Sequence, residues 1–262
     1  MNKLGIIAGS GMDIPGLKFI EDITVDSKYG APSEGYKHFR YKDTDLYFLR
    51  RHGVKHEIPP HKINYRANID GFRKLGVEAV VTVSAAGGIN GSLCPGDIAV
   101  TSNAIDFTYG RNSTYFDDME VFHIDITEPF CPSLRRGILY SAAEAGVTIF
   151  DGGVYLCTNG PRLETAAEIT AYSKLGADFV GMTLFPECAL ARELGICFAN
   201  ISVITNYAAG ISDRKLTSDE VVDIMGKASE RVNSIVHKIM DNPFTPECDC
   251  RDSLKGTKIT NG

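Results

Sequence analysis

A mixed, mostly parallel central β-sheet flanked by helices is the α/β fold class that three features of the sequence predict. The first is a recurring phrase. A helical stretch ends in Leu-Gly or Ala-Gly and an apolar run follows, at Leu75-Gly76, Ala145-Gly146, Leu175-Gly176 and Leu194-Gly195. Repeats of this kind indicate αβ units rather than a bundle or a sandwich. The second is the order strand, helix, strand, helix, strand between Gly153 and Ile204. The third is size: 262 residues, 44% of them hydrophobic, with no linker-like stretch, suit one core. A single domain is expected over residues 1–242, followed by a polar, loosely ordered C-terminal tail over 243–262.

Lys3 to Ala8 reads as the first strand, and Gly9-Ser10-Gly11 after it as a tight turn able to hold an anion. It is not a dinucleotide fingerprint, because position 14 is Ile14 where the third glycine would stand. Asp45 to Leu49 is the next strand and delivers Arg50-Arg51-His52-Gly53. His52, His56 and His61 do not form the helical zinc motif, since Pro59-Pro60 cannot continue a helix. No metal site is expected. Asn64 to Leu75 has helical spacing at Ile69, Phe72 and Leu75, with Gly76 ending it. Ala79 to Val83 is a strand, and Ser84-Ala85-Ala86-Gly87-Gly88 a small-residue loop that lets backbone amides approach a ligand. Asp97 to Thr101 is a further strand.

Arg111 to Glu128 is polar and aromatic without a period and reads as an excursion from the sheet, of a length often used for binding or subunit contacts. Pro132 starts a helix that runs to Ala145. Gly153 to Cys157, Phe179 to Met182 and Phe198 to Ile204 are strands, separated by helices over Ala166 to Leu175 and Glu187 to Leu194. Each strand closes in a polar loop, and ligands of open α/β sheets sit at such carboxyl ends. Thr217 to Glu220 has capping-box spacing and opens a long amphipathic helix to about Met240.

Composition restricts the function class. Lys+Arg number 27 against 33 Asp+Glu, a net charge of -6, which argues against a general nucleic-acid or anionic-membrane surface. The N-terminus lacks a secretory apolar region, and no stretch approaches the ~18 apolar residues of a membrane span. Small-molecule chemistry in the cytoplasm is the expectation. The seven cysteines contain no pair of Cys-x-x-Cys knuckles. Most read as core residues. Cys248-Asp249-Cys250 lies among polar neighbours and reads either as a redox-active or bonded pair or as idle thiols in an exposed tail.

Ser10, Arg51 with His52, Ser84 with Ala85, and Thr183 are four separate anion candidates, and together they suit one phosphate. With Asn64-Tyr65-Arg66-Ala67-Asn68, Pro95-Gly96-Asp97, Glu128-Pro129-Phe130-Cys131-Pro132, Gly160-Pro161-Arg162, Gly181-Met182-Thr183 and Pro186-Glu187 in order, nearly the whole chain resembles the trimeric purine nucleoside phosphorylases that include methylthioadenosine phosphorylase. The resemblance weakens after about Lys238. It implies a nucleoside phosphorylase-like fold, reversible phosphorolysis of a purine nucleoside, no metal or organic cofactor, and a homotrimer or dimer of trimers in which the excursion reaches a neighbour's site. It also implies that Ser10, Arg51, His52, Ser84, Ala85 and Thr183 cradle phosphate, that Met182 packs against the ribose, and that His56 lies on the ribose side.

Departures from the methylthioadenosine pattern bear on the base. Asn206-Tyr207-Ala208 stands where those enzymes have Asp-x-Asp, and Leu163-Glu164 where they have Phe-Ser. Both changes resemble inosine- and guanosine-cleaving enzymes. An ionised Glu164 only accepts hydrogen bonds, which suits the N1-H of a 6-oxopurine, and the Asn206 amide can donate to O6 and accept from N7-H. The plainer readings are that Glu164 caps the helix starting near Thr165 and that Asn206 is a turn residue. At the 5' end of the sugar, Ser218 falls where inosine-cleaving relatives carry a His, and Val221 and Val222 one turn on suit a methylthio group. The reading is a 6-oxopurine nucleoside phosphorylase that favours S-methyl-5'-thioinosine. Its alternatives are a methylthioadenosine phosphorylase and a non-catalytic nucleoside sensor on the same fold.

Overall fold

The computed structural model describes residues 2–9, 12, 14–117, 120–212, 218–242 and 247–259, and of Ser218 only the backbone. Its spine is β5 (Ala79–Gly88), a run of small and β-branched residues buried along nearly its whole length. Such runs mark strands covered on both faces. One edge of β5 pairs in parallel with β11 (Cys197–Tyr207) along its full length. The other edge takes β1 (Lys3–Ala8) in parallel and, further along, β10 (Phe179–Gly181) in antiparallel.

Around the spine, β1 also pairs in parallel with β4 (Thr44–Arg50), and β10 with β9 (Val154–Thr158). An antiparallel meander of β2 (Lys18–Ile23) and β3 (Tyr36–Tyr41) extends the β4 edge. At the other margins, β7 (Asn103–Phe107) joins β9, while β6 (Ile98–Val100) joins β11 and the short β8 (Phe150–Asp151). Parallel pairings outnumber antiparallel ones, as the sequence predicts.

Helices cover both faces. The helices α2 (Pro132–Glu144) and α5 (Ser218–Asp241) bury Leu134, Ile138, Val232 and Ile235 against Ile6, Val81 and Ile201. On the opposite face α1 (Tyr65–Lys74) and α4 (Leu184–Glu193) pack Ile69, Phe72, Leu190 and Ala191 against Ile7, Val80 and Phe198. The fifth, α3 (Ala166–Lys174), covers β9 and β10 through Ile169 and Tyr172.

Three expectations change. The segment Ser84 to Gly88 is not a loop but the second half of β5, because β11 supplies its hydrogen-bond partners on one edge throughout. Thr205, Asn206 and Tyr207 likewise belong to β11, which has a register irregularity between Ile204 and Asn206. The tail is also not loose over its described part. The Ser133 hydroxyl donates to Glu247 O, Arg251 pairs with Glu78 at 2.6 Å, and Lys258 bridges to Phe122. Thr217, the expected cap of α5, lies outside the described residues.

Candidate active site

The sheet is split beside β5. On the edge away from β11, β1 covers Ala79 to Val83 and β10 covers Gly87 and Gly88, so no described strand covers Ser84, Ala85 and Ala86. A strand edge left open presents unpaired backbone groups, a ready place for a polar ligand. The segments bordering this gap are those the sequence singled out. Arg50 lies opposite Ala8 at the end of β1, which puts Arg51 and His52 at the mouth. β10 runs back along β5, and Gly181, Met182 and Thr183 continue it toward the level of the gap. Ser10 lies outside the described residues. Arg51, His52, Ser84, Ala85 and Thr183 all come from segments around the split. Thr183 occupies the N-cap position of α4, yet its hydroxyl makes no capping bond.

Arg51 is not an open cationic arm. Its side chain is 1% exposed and lies against the fully buried Glu187, with Nε donating at 2.5 Å to one carboxylate oxygen and Nη2 at 3.2 Å to the other. Nη2 also donates to Thr82 Oγ1, and Nη1 to Val83 O at 3.2 Å. A guanidinium has five N–H donors, so at most one remains for a ligand. Thr82 continues the chain of polar contacts, because β5 and β11 align Thr82 with Asn200 and Ser84 with Ser202. Asn200 Nδ2 donates to Ser84 Oγ at 3.0 Å, while Ser202 and Thr101 hydroxyls donate to Asn200 Oδ1. This buried network runs from Glu187 to Ser84 and fixes the hydroxyl at the gap.

His52 is neutral near pH 7. Burial, with the adjacent Arg51 charge, lowers its pKa to about 4. One ring nitrogen, Nδ1, lies 2.8 Å from Ile58 O. With Nδ1–H as donor, Nε2 keeps a lone pair able to accept from a protonated phosphate oxygen. A folded-state pKa below the ordinary 6.5 means that the unfolded chain binds this proton first. Stability from neutral His52 is therefore full above about pH 6.5 and is lost as pH falls toward 4. An NMR titration of the ring should find a pKa near 4 without phosphate and a higher one with it, since a bound dianion offsets the Arg51 charge. A pKa indifferent to phosphate would remove His52 from the cradle.

At the base end, Asn206 on β11 stands opposite Gly87 on β5, level with Val180 on β10 and Leu156 on β9, and Met182 and Thr158 follow two residues further along those two strands. Glu164 Oε1 accepts from Thr158 Oγ1 at 2.8 Å. Glu164 does not cap α3: Thr165 does so, in a capping box with Glu168. Asn206 is buried, its Oδ1 accepting from Thr205 at 2.8 Å and its Nδ2 donating to Tyr207 O at 2.9 Å. One N–H and one acceptor lone pair remain. A Cβ at Gly87 would stand 3.0 Å from Asn206 Nδ2, closer than ordinary packing, so a side chain there would press on that amide.

Met182 is covered by the loop that carries Leu163 and Glu164. A Cβ on Gly160, whose φ is +60°, would fall 2.5 Å from Met182 Sδ. Leu163 is exposed, whereas Ala208 is buried and donates its amide to Gly88 O. The His56 ring lies 4.4 Å from that of His52, on a backbone with φ of 56°. Val221 is partly buried and Val222 is 59% exposed in the first turn of α5, so this pair is not gathered into the buried part of the site.

Sequence reasoning passed over Arg111. Its guanidinium donates to Asn159 O at 2.9 Å, to Met182 O at 2.9 Å, to Thr158 O at 3.3 Å and to Phe185 O, and it lies over the Tyr65 ring at 5.1 Å. One side chain thus ties together the loops after β9 and β10. The start of the excursion folds onto its own chain as well, with Thr114 and the Tyr115 amide bonding Glu193. The only signal was an arginine opening an aperiodic segment. Arg111→Ala should lower kcat/KM by roughly 10- to 100-fold through loop misplacement. Arg111→Lys should not restore it, because a point charge cannot serve several carbonyls at once. Steady-state kinetics equal to the parent in both variants would show that the loops hold themselves.

Residues 3–241 match the family described as the phosphorylase superfamily. A probable S-methyl-5'-thioinosine phosphorylase of Thermodesulfovibrio yellowstonii is 44% identical over 98% of this chain and 97% of its own. The 6-oxopurine nucleoside phosphorylase of Pyrococcus furiosus is 44% identical over 98% of this chain and 99% of its own. Among solved structures, a methylthioadenosine phosphorylase sourced from an Antarctic soil metagenomic library superposes with a TM-score of 0.91 at 28% identity, covering 98% of this chain and 92% of that one. With its split sheet, polar strand ends and match along nearly the whole chain, this protein belongs to the phosphorylase superfamily.

Proposed function

We propose that the protein catalyses reversible phosphorolysis of 6-oxopurine nucleosides, with S-methyl-5'-thioinosine preferred. The observation that carries this reading is the hydrogen-bonding capacity left at two side chains, Glu164, held by Thr158 at the end of β9, and Asn206, near the end of β11. Glu164 has an acceptor-only carboxylate with Oε1 held by Thr158, and the Asn206 amide retains one donor and one acceptor. A 6-oxopurine offers the complement: N1-H for the carboxylate and O6 for the amide N–H, while N7, bare in the nucleoside, becomes an N7-H for the amide oxygen as the departing base takes up a proton. Adenine presents a bare N1 and an amine instead.

Phosphate held at Ser84, Ala85, His52 and Thr183 is the nucleophile. Its oxygen bonds to the anomeric carbon as the bond from that carbon to N9 breaks, and the bonding pair passes into the purine ring. Asn206 stabilises that charge at the N7 and O6 edge, while Met182 packs on the sugar, so catalysis is positioning and electrostatics. Neither a metal nor an organic cofactor is needed for these steps. The acting form is a cytoplasmic homotrimer or dimer of trimers, with His56, Leu163 and Ala208 completing the nucleoside pocket. No helix among the described residues is long and apolar enough to cross a membrane.

A phosphate-dependent panel of inosine, guanosine, adenosine, methylthioinosine and methylthioadenosine tests the reading. Methylthioinosine is expected to give the highest kcat/KM and the two adenine nucleosides the lowest. Equal or faster cleavage of methylthioadenosine would overturn it.

A further inference from the structure

Four of the seven cysteines meet at one point where β11 begins, the opposite end of that strand from Asn206. Cys131 is the N-cap of α2, Cys197 opens β11, and Cys248 and Cys250 come from the tail. Their sulfurs all lie within 4.8 Å of one another, with Cys197 and Cys248 at 3.5 Å. Cys131, Cys197 and Cys250 are buried, and Cys248 is partly open, a route from solvent. We propose that these four cysteines form a tetrahedral thiolate site for a divalent soft metal, zinc by preference, that fastens the C-terminal segment to the sheet.

Three observations support this. A zinc–sulfur bond of about 2.3 Å fixes all six sulfur–sulfur edges of a tetrahedral S4 site near about 3.8 Å, the scale on which these four atoms are gathered. Two disulfides would contract only two of the six edges and need no common centre.

Next, two sulfurs already accept hydrogen bonds of the kind that support a ligated thiolate. The Leu134 amide donates to Cys131 Sγ at 3.4 Å from the first turn of α2, and Arg192 Nη1 donates to Cys250 Sγ at 3.4 Å. Four thiolates around a divalent ion carry a net charge of minus two, and a helix N-terminus with a guanidinium offsets it. Binding sends the four thiol protons to solvent, so no oxidant is required.

Finally, the backbone around the cluster is pinned from several sides. The Cys131 amide donates to Phe198 O at 2.8 Å, next to Cys197, and Ser253 Oγ donates to Arg192 O at 2.5 Å beyond Cys250. The ligands come from three distant segments, which is why the sequence shows only Cys248-Asp249-Cys250 and no zinc-knuckle spacing.

The test uses the full chain, kept reduced and anaerobic, titrated with Co(II) and then with Zn(II). One Co(II) per chain should bind, with the intense thiolate charge-transfer and tetrahedral d–d bands of an S4 site, and zinc should displace it. Cys248→Ser and Cys250→Ser should each lose the charge-transfer bands, while Cys94→Ser, at an exposed cysteine outside the cluster, should keep them. Zinc should also raise the Tm of the parent. If the serine variants do not fold, the parent spectrum still decides. Absence of thiolate bands in the reduced parent overturns the proposal. So does persistence of the bands in a folded Cys250→Ser variant, or mass spectrometry showing cysteines paired as disulfides under these conditions.

Discussion

Asn206→Asp is expected to shift base preference from 6-oxopurines toward 6-aminopurines by tens to thousands of fold in the ratio of kcat/KM values. Each mismatched buried hydrogen-bonding group costs about 1 to 3 kcal/mol, and the change alters both contacts at the N7 edge. A carboxylate accepts from an exocyclic amine but opposes O6. The local structure adds a second effect. Nδ2 of Asn206 donates to Tyr207 O at 2.9 Å, and an Asp oxygen there would face a carbonyl oxygen. Some loss of total activity and of Tm is therefore expected, and the ratio between bases is the diagnostic quantity. Adding Glu164→Ser should strengthen the shift, not additively, since both groups address one ring. Parallel kinetics on methylthioinosine and methylthioadenosine check this. A variant that loses activity on both by one factor would make Asn206 a structural residue of β11.

Much of the site was legible because its parts carry local signatures. Glycine after a helix, a polar group after an apolar run and an arginine beside a histidine survive as patterns in one dimension, and they placed β1, β4, α1, α3 and β10 near their observed positions. What was not legible depends on pairing between distant segments. Ser84 to Gly88 looks like a loop because small residues are usually turn residues, yet β11 holds it as strand. The meander of β2 and β3 has a largely exposed first strand and so lacks an apolar run to announce it. The four-cysteine cluster likewise required three segments to meet. The polar alternation of Asn200 and Ser202 within a buried strand was the clearest missed signal, since period-two polar residues in an otherwise apolar run mark an internal network.

Arg51→Ala should cost stability before it costs phosphate affinity. The sequence alone assigns Arg51 to the anion, but in the structure its charge is matched by Glu187 and four of its hydrogen bonds go to the protein. Removing one partner of a buried ion pair leaves the other charged and unsolvated, a cost of about 3–5 kcal/mol. For a domain of this size that is a fall in Tm of roughly 6–20 °C. Glu187→Ala, which strands the guanidinium instead, should cost a similar amount. Arg51→Met with Glu187→Leu should cost much less than the two single changes combined, because no lone charge is left behind. Denaturant unfolding of the three variants measures this, and phosphate KM measured below their transitions separates the two roles. If the one remaining N–H of Arg51 reaches phosphate, the double variant will regain stability while its phosphate KM stays high. Should Arg51→Ala unfold no earlier than the parent while losing phosphate, the ion pair contributes nothing to the fold and Arg51 acts on the anion alone.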